Sequence, residues 1–306
     1  MLSMKRDLLS FALWTMDQIS EVLALAARLK SDPVSVERPL RGRGIALVFE
    51  QESLRTRVSF EVGIAQLGGH AVFLQQETIG IATRESVHDI AQVLSEYVGA
   101  IVARTSRHAT CVQLADSAPV PVINALTDLL HPCQVLADAF TLSELGRLTP
   151  RTKIVYLGAG TSVVNSWLEL ARLFPLDLVL SCPDGYEPHP KLLEEAQDSG
   201  TSAIRFEPDP ERAVEGAQVV YTDVWPAAAQ GVDVGKRIIV FRPYQVNATL
   251  LKRASDDVLL MHRLPANRGE EVTSDVLDGS HSVVLRQASN RLHVQKAILT
   301  LLVGRS

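Results

Sequence analysis

Cysteine is scarce in this chain of 306 residues, which contains only Cys111, Cys133 and Cys182. Their number is odd and no two of them have C-x-x-C spacing, so the sequence predicts neither a disulfide framework nor a structural zinc site. Unpaired thiols of this kind are typical of proteins that work in a reducing compartment. We therefore expect a cytoplasmic protein.

The sequence also lacks long apolar runs and an excess of positive charge. No uninterrupted apolar stretch approaches the roughly 20 residues of a membrane-spanning helix, and the segment from Met1 to Leu13 has no apolar signal-peptide core. The formal net charge is -5, with acidic and basic residues interspersed, which argues against a cationic surface for nucleic acid. We therefore expect small-molecule substrates, and neither a membrane nor a nucleic acid as partner.

Strand and helix patterns alternate along the whole chain. A buried strand is predicted at Gly44–Phe49 and a helix at 55–67, and a similar pair opens the second half at 153–158 and 162–173. This alternation predicts an α/β fold with doubly wound parallel sheets covered by helices on both faces. The other predicted strands are 71–74, 100–103, 120–124, 178–180, 219–221, 238–240 and 258–261.

The length predicts two domains, because 306 residues exceed what one hydrophobic core usually serves. Gly146 and Pro150 mark the boundary. We expect one domain at residues 1–146 and a second at 147–288. A terminal helix within 289–306 is predicted to return to the first domain.

Ligands of such sheets bind beyond the carboxyl ends of the strands, so the loops after strands are the candidate sites. The first loop places Ser53, Leu54, Arg55 and Thr56 at the start of a predicted helix. Free backbone N–H groups, hydroxyl groups and a guanidinium at a helix N-terminus suit a phosphate dianion. A solvated first turn, with its arginines paired to Glu50 or Glu52, would explain the same composition.

Three further loops carry unusual polar residues. Arg104 ends a predicted strand, His131 and Gln134 flank a proline before a helix, and Arg263 and Leu264 precede a proline after another strand. Each has a simpler explanation when taken alone: an exposed arginine, a structural His-Pro turn, and a rigid turn that serves packing.

Taken in order, these loops resemble the aspartate/ornithine carbamoyltransferase family, and most closely its ornithine branch. The resemblance extends over nearly the whole chain. It is carried by residues 49–75 around the first loop, 128–144, Thr-Asp-Val-Trp at 222–225, Arg-Gly-Glu-Glu-Val-Thr at 268–273, and Asn-Arg-Leu-His at 290–293.

The resemblance implies an enzyme that moves the carbamoyl group of carbamoyl phosphate to the side-chain amine of ornithine, which gives citrulline and phosphate for arginine biosynthesis. It implies a homotrimer, no metal or organic cofactor, a first domain for carbamoyl phosphate and a second for the amine. Arg104, His131 and Arg263 would act in the reaction. Carbamoyl phosphate would contact Ser53, Leu54, Arg55, Thr56, Arg104, His131, Gln134, Arg263, Leu264 and Arg291.

The acceptor side departs from the family pattern. Three residues or motifs of the family are replaced here. The Asn that meets the ornithine carboxylate is Ser162, and the Cys near the reacting amine is Arg263. The family's Ser-Met-Gly is replaced by Ala227, Ala228 and Ala229. Asp223 alone remains of the usual head-group contacts. Arg263 is expected to repel a cationic side chain and to favour an anionic one.

Three interpretations therefore stay open. The first is an ornithine carbamoyltransferase with a rebuilt acceptor pocket, and the second keeps the chemistry with a different amine acceptor. The third is a non-catalytic homologue that binds carbamoyl phosphate or assembles with an active paralogue. A dinucleotide oxidoreductase is disfavoured, because Gly158 and Gly160 are followed by Val163 where the G-x-G-x-x-G fingerprint needs glycine.

Overall fold

The computed structural model describes residues 6–32, 38–81, 84–226 and 234–304. The chain divides into two compact units, Met1–Phe140 with Ser289–Ser306, and Thr141–Ala288. Each unit is built on its own parallel sheet with helices between the strands. The predicted α/β class with two parallel sheets is confirmed.

The first unit contains a sheet of four strands in the order β2-β1-β3-β4. The central strand β1 is buried along its whole length, as expected for a strand covered on both faces. Thr15 and Gln18 form a capping box at the start of helix α1. The elements are α1 (Met16–Ser31), β1 (Gly44–Phe49), α2 (Leu54–Gln66), β2 (His70–Gln75), α3 (Gln76–Ile79), α4 (Val87–Ser95), β3 (Ala100–Arg104), α5 (His108–Ser117), β4 (Val122–Leu126) and α6 (Pro132–Glu144).

The second unit contains a sheet of five strands in the order β7-β6-β5-β8-β9. Its core joins the apolar faces of the strands to the helices that follow them. The elements are β5 (Lys153–Leu157), α7 (Ser162–Ala171), β6 (Asp177–Ser181), α8 (Pro190–Asp198), β7 (Ala203–Phe206), α9 (Pro210–Val214), β8 (Val219–Thr222), α10 (Val234–Phe241), α11 (Ala248–Leu251), β9 (Leu259–His262) and α12 (Ser274–Leu277). Helix α13 (Val284–Leu302) follows, and from Ser289 onward it belongs to the first unit.

The strand order of each sheet reverses at one place. In the first unit the reversal lies between β1 and β3, and in the second between β5 and β8. All strand pairs are parallel, so the loops that follow the strands lie at one edge of each sheet. A reversal of this kind opens a crevice in which ligands of doubly wound sheets bind.

The predicted strand at 238–240 is wrong, because these residues lie in helix α10. A short apolar run does not distinguish a strand from a buried helix segment. Phe241 at the end of α10 is fully buried, and its ring stacks on that of Trp225 at 5.4 Å. Strand β7 was not predicted, since it lies at the sheet edge and is largely exposed.

Two element boundaries also differ. Strand β4 begins at Val122 and not at residue 120, because Pro121 has no N–H group for the ladder. Helix α13 begins at Val284, earlier than the predicted start at residue 289. In the part of the chain that the structure describes, no helix combines the length and apolarity needed to cross a bilayer.

Candidate active site

The loop after β1 forms the start of helix α2. Ser53 is the N-cap residue, and its Oγ accepts a hydrogen bond from the Thr56 N–H at 3.3 Å. Thr56 is buried and Arg55 half-buried. The N-terminus of α2 carries partial positive charge and orients N–H donors, so the loop has the groups that an anionic phosphate requires.

Arg291 adds a second guanidinium to this loop from helix α13. Its Nη2 donates a hydrogen bond of 2.7 Å to Thr56 Oγ1. Both side chains are buried, at 4% and 1% exposure. A buried guanidinium beside a helix N-terminus raises the local positive potential, because little water is present to screen it.

Arg104 lies next to the same loop on the neighbouring strand. It ends β3 in register with Phe49, the last residue of β1, and its carbonyl oxygen accepts from the Glu50 N–H at 2.9 Å. The side chain is half-buried. Arg104 and the Ser53 loop therefore flank the reversal point between β1 and β3.

His131 and Gln134 form the first turn of helix α6. The His131 carbonyl accepts from the Gln134 N–H at 3.1 Å, and both side chains are buried. Gln134 Nε2 donates to Asp138 Oδ1 at 2.8 Å. This bond fixes which end of the amide faces Asp138. The other end, Oε1, is buried and has no hydrogen-bond partner among the described residues.

Cys133 stands between these two residues but is not a nucleophile. Its Sγ donates to the Asn124 carbonyl at 3.3 Å. Burial raises the pKa of the Cys133 thiol to about 12, although Arg291 opposes this change. The thiol is therefore neutral at physiological pH, whereas nucleophilic cysteines have lowered pKa values.

Leu54 and the following Arg57 are both exposed at the start of α2. Leu54, a predicted phosphate contact, has a side chain that is 75% exposed, so only its backbone N–H can serve a ligand. Arg57 pairs with Glu61 at 2.9 Å, and its guanidinium lies 3.7 Å from the centroid of the Phe73 ring. Arg57 is therefore paired within the helix, with Glu61 and not with Glu50 or Glu52.

In the second unit, Arg263 and Asp223 form an ion pair. Arg263 Nε lies 2.7 Å from Asp223 Oδ1 and 2.8 Å from Oδ2. Burial lowers the pKa of Arg263, but the Asp223 carboxylate more than offsets this effect and the pKa is raised overall. The pair carries no net charge, and the expectation that Arg263 repels a cationic side chain and favours an anionic one stays a prediction.

Thr161 joins this pair to the loop after β5. Its Oγ1 donates to Asp223 Oδ2 at 3.0 Å and lies 2.9 Å from the Tyr156 hydroxyl. Burial and the nearby Asp223 raise the pKa of Tyr156 well above its usual value, so the phenol stays protonated. Ser162, a predicted acceptor contact, is buried at the start of α7. Ala227 and Ala228 lie outside the described residues.

Sequence reasoning gave no role to Thr161 or Tyr156. A threonine directly before an apolar helix is a readable N-cap signal, and it does cap α7 through the Val163 N–H. Nothing in the sequence indicates that Tyr156 bonds to it.

A buried network holds the turn at Leu264, which has a φ of +57° and a cis peptide bond to Pro265. His262 Nδ1 accepts from the Leu264 N–H at 2.8 Å. The other ring nitrogen, Nε2, lies 3.1 Å from Glu271 Oε1. Since Nδ1 accepts, Nε2 must carry the proton and donate it to Glu271. Sequence reasoning missed His262 and Glu271 as supports of this turn.

Gly160 has a structural role that explains why a glycine follows β5. A Cβ at this position would lie 2.3 Å from the Glu187 carbonyl oxygen and 2.4 Å from the Pro188 nitrogen. The Gly160 N–H donates to the Tyr186 carbonyl at 2.6 Å. The glycine permits two backbone segments to touch, so it need not indicate a dinucleotide.

Comparison with known proteins gives a consistent result over the whole chain. Residues 6–144 match the model of the aspartate/ornithine carbamoyltransferase carbamoyl-P binding domain, and residues 151–302 match that of the Asp/Orn binding domain. The ornithine carbamoyltransferase of Chlorobaculum tepidum is 44% identical over 99% of this chain and 91% of its own length. The anabolic ornithine carbamoyltransferase of Pyrococcus furiosus is 44% identical over 98% of this chain and 96% of its own.

Solved structures of similar proteins superpose closely. Ornithine carbamoyltransferase from Pyrococcus furiosus has a TM-score of 0.93 at 43% identity, covering 99% of both chains. The enzyme from Thermus thermophilus has a TM-score of 0.89 at 42% identity, covering 98% of this chain and 100% of its own.

Proposed function

The chain belongs to the aspartate/ornithine carbamoyltransferase family, and from that premise we propose that it transfers the carbamoyl group of carbamoyl phosphate to the side-chain amine of ornithine. The products are citrulline and phosphate. We assign carbamoyl phosphate to the first unit and the amine to the second.

Gln134 is the observation that carries this assignment. A phosphate site alone would serve many substrates, but the buried Gln134 Oε1 is a hydrogen-bond acceptor that needs a donor. The amide N–H of a carbamoyl group supplies one. Leaving a buried acceptor unsatisfied costs about 1–3 kcal/mol, and a ligand that donates to Oε1 recovers this free energy.

The phosphate end of the substrate would lie at the start of α2. We assign its oxygens to the α2 backbone N–H groups, Ser53, Arg55 and Thr56, with Arg291 behind Thr56. Arg104 would lie between the phosphate and the carbonyl oxygen. Charge-assisted hydrogen bonds contribute about 1.5–3 kcal/mol each, so several of them suffice for tight binding.

The reaction requires the neutral amine, because a protonated ammonium nitrogen has no lone pair with which to attack. The amine nitrogen attacks the carbamoyl carbon, and the carbonyl oxygen becomes an oxyanion for which Arg104, His131 and Thr56 are the assigned donors. The C–N bond forms, the bond from carbon to the phosphate oxygen breaks, and the departing phosphate accepts the amine's proton. Catalysis then consists of positioning and charge stabilisation.

The contacts of Arg263 and Leu264 with carbamoyl phosphate that the resemblance implies stay predictions. The His262 and Glu271 network holds their turn in place. The Arg263 side chain is engaged with Asp223, and its role is considered below.

We also propose that three chains assemble. Helix α2 exposes Leu54, Val58 and Val62, with side chains 75%, 46% and 41% exposed, on one face at intervals of four residues. A row of exposed apolar residues supports a protein interface. Light scattering should give three times the monomer mass. We further propose a cytoplasmic, biosynthetic enzyme.

Phosphate release from carbamoyl phosphate tests the proposal. Release should require ornithine, and Gln134→Met should lower kcat/KM for carbamoyl phosphate by about 5- to 150-fold or more. The substitution removes the proposed hydrogen bond to the ligand, of about 1–3 kcal/mol, and also the hydrogen bond to Asp138. Gln113→Met, at an exposed position on α5, is the matched control and should leave the rate unchanged. Equal rates for the two variants would contradict the role of Gln134.

One observation favours an acceptor other than ornithine: Asp223 is already paired with Arg263. A panel of amines in the same assay would identify a different acceptor if ornithine is a poor substrate. Turnover with any amine would exclude a non-catalytic homologue.

A further inference from the structure

We infer that Arg263, held in place by Asp223, binds the carboxylate of the acceptor, so that the acceptor must be an amine that carries a carboxylate. This inference rests on the proposed carbamoyl transfer and names the chemistry by which the second unit selects its substrate. The acceptor would then contact Arg263, and not Asp223 as the resemblance implies.

The pair lies where the second sheet is expected to bind a ligand. Asp223 directly follows β8, Thr161 follows β5, and the strand order reverses between these two strands. Arg263 directly follows β9, the neighbour of β8. Three loops at one sheet edge therefore bring these side chains to the reversal point.

The Asp223 carboxylate is already occupied by donors. Oδ1 accepts from Arg263 Nε and from the Val224 N–H at 2.8 Å, and Oδ2 accepts from Arg263 Nε and from Thr161 Oγ1. Three donor groups therefore occupy a carboxylate that has about four lone-pair sites, since the Arg263 Nε–H is shared between both oxygens. An ammonium group would have to displace Arg263 Nε to reach this carboxylate, whose side chain is only 1% exposed.

Arg263 keeps donors for a ligand. Only its Nε is used by Asp223, and among the described residues none accepts a hydrogen bond from Nη1 or Nη2. The side chain is 18% exposed, so this end of the guanidinium can be reached. Two parallel N–H groups match the two oxygens of a carboxylate.

Helix α7 reinforces the preference for an anion. Its first turn begins at Ser162, and its N-cap residue Thr161 donates to the same Oδ2 of Asp223 that Arg263 contacts. The N-cap residue of α7 and Arg263 Nε therefore contact the same oxygen atom. The N-terminus of a helix and a guanidinium group both favour a negative charge nearby.

A matched pair of substrates tests the inference. Ornithine and 1,4-diaminobutane carry the same reacting amine and differ by the carboxylate. In phosphate-release assays the wild type should prefer ornithine. Arg263→Gln should lower kcat/KM for ornithine by about 10- to 150-fold, the loss expected for one charge-assisted contact. For the diamine it should lower the value by less than about threefold or raise it, since Asp223 becomes accessible.

Arg268→Gln is the control variant. It removes an arginine from the same segment that pairs with the exposed Asp278, and it should leave both substrates unaffected. Thermal melting should show that both variants fold. An equal loss on ornithine and the diamine in Arg263→Gln would assign Arg263 a structural role and overturn the inference. A gain on ornithine would also overturn it, because Arg263 would then block Asp223.

Calorimetric titration with norvaline, which is ornithine without its side-chain amine, separates this inference from the proposed function. Norvaline should bind the wild type in the presence of phosphate and bind Arg263→Gln about 10- to 150-fold more weakly. If no amine supports turnover, the proposed transfer fails, while this titration still decides the carboxylate site. Equal affinity of the two proteins, or no binding to either, would overturn it.

Discussion

Arg291 Nη2 and Thr56 Oγ1 are joined by a 2.7 Å hydrogen bond across 235 residues of sequence. Thr56 lies in the first turn of α2 and Arg291 lies in the terminal helix α13. Both belong to the first unit, so the end of the chain completes the loop that begins after β1. The proposed phosphate site thus depends on a long-range contact between two buried side chains.

The hydroxyl of Thr56 is expected to be essential for that contact. Thr56→Val keeps the shape of the side chain but leaves the buried Arg291 guanidinium without this acceptor, and it should raise the KM for carbamoyl phosphate by about 10- to 150-fold. Thr56→Ser keeps the hydroxyl and should change the KM by less than about threefold. Initial rates at varied carbamoyl phosphate measure both. A KM for Thr56→Val like that of the wild type would show that the bond does not support the phosphate site.

Ser53 should stabilise the fold as well as the ligand. Ser53→Ala removes the N-cap of α2 and should lower the free energy of unfolding by about 1 kcal/mol. Ser59→Ala, in the same helix, removes a hydroxyl that only donates to the Thr56 carbonyl and should cost less than about 0.5 kcal/mol. Urea unfolding of the two variants makes the comparison, and equal midpoints would show that the cap is not important.

A side chain at Gly160 should destabilise the protein, and the cause should be a steric clash and not backbone strain. Gly160→Ala places a methyl group 2.3 Å from a backbone oxygen and should cost about 1–3 kcal/mol or more. Gly146→Ala adds the same methyl group into open space at a φ of +67° and should cost about 1–2 kcal/mol from backbone strain. The crystal structures of both variants would distinguish the causes: only Gly160→Ala should displace residues 187–188.

The buried thiols predict a loss of stability at high pH. The pKa of Cys111 is raised by burial from 9.0 to about 12. Above pH 9 the unfolded chain therefore loses a proton that the folded chain keeps, and the free energy of unfolding falls as the pH rises towards 12. The slope is up to about 1.4 kcal/mol per pH unit for one group. Below pH 9 this contribution is constant.

Comparison with Cys111→Ala isolates the effect of that thiol. Urea unfolding between pH 8 and 11 should show a shallower decline for the variant than for the wild type, whatever the constant cost of the substitution. Parallel curves would contradict the raised pKa.

The elements that local patterns define could be predicted from the sequence. β1 has the predicted bounds, because a run of six apolar residues between polar segments is decided locally. The capping box of α1 is likewise a matter of neighbouring residues. The run at 238–240 has no periodicity that separates strand from helix, and the residue that anchors its helix by packing on Trp225 is the following Phe241.

The site was predictable as a set of loops but not as a set of contacts. The helix start at Ser53 to Thr56 follows from residue types and strand position. The pairing of Arg263 with Asp223 depends on β8 and β9 being neighbours, and the sequence does not state the strand order. The contacts of Arg57 could not be predicted either, because its guanidinium pairs with Glu61 and stacks on the ring of Phe73.

The most direct test of the proposed transfer follows the carbamoyl carbon itself. Carbamoyl phosphate labelled at that carbon is mixed with ornithine and the enzyme, and the products are observed by NMR. The label should appear in the ureido carbon of citrulline, in equal amount to the phosphate released. Label that appears only in bicarbonate, or that stays in carbamoyl phosphate, would contradict the transfer.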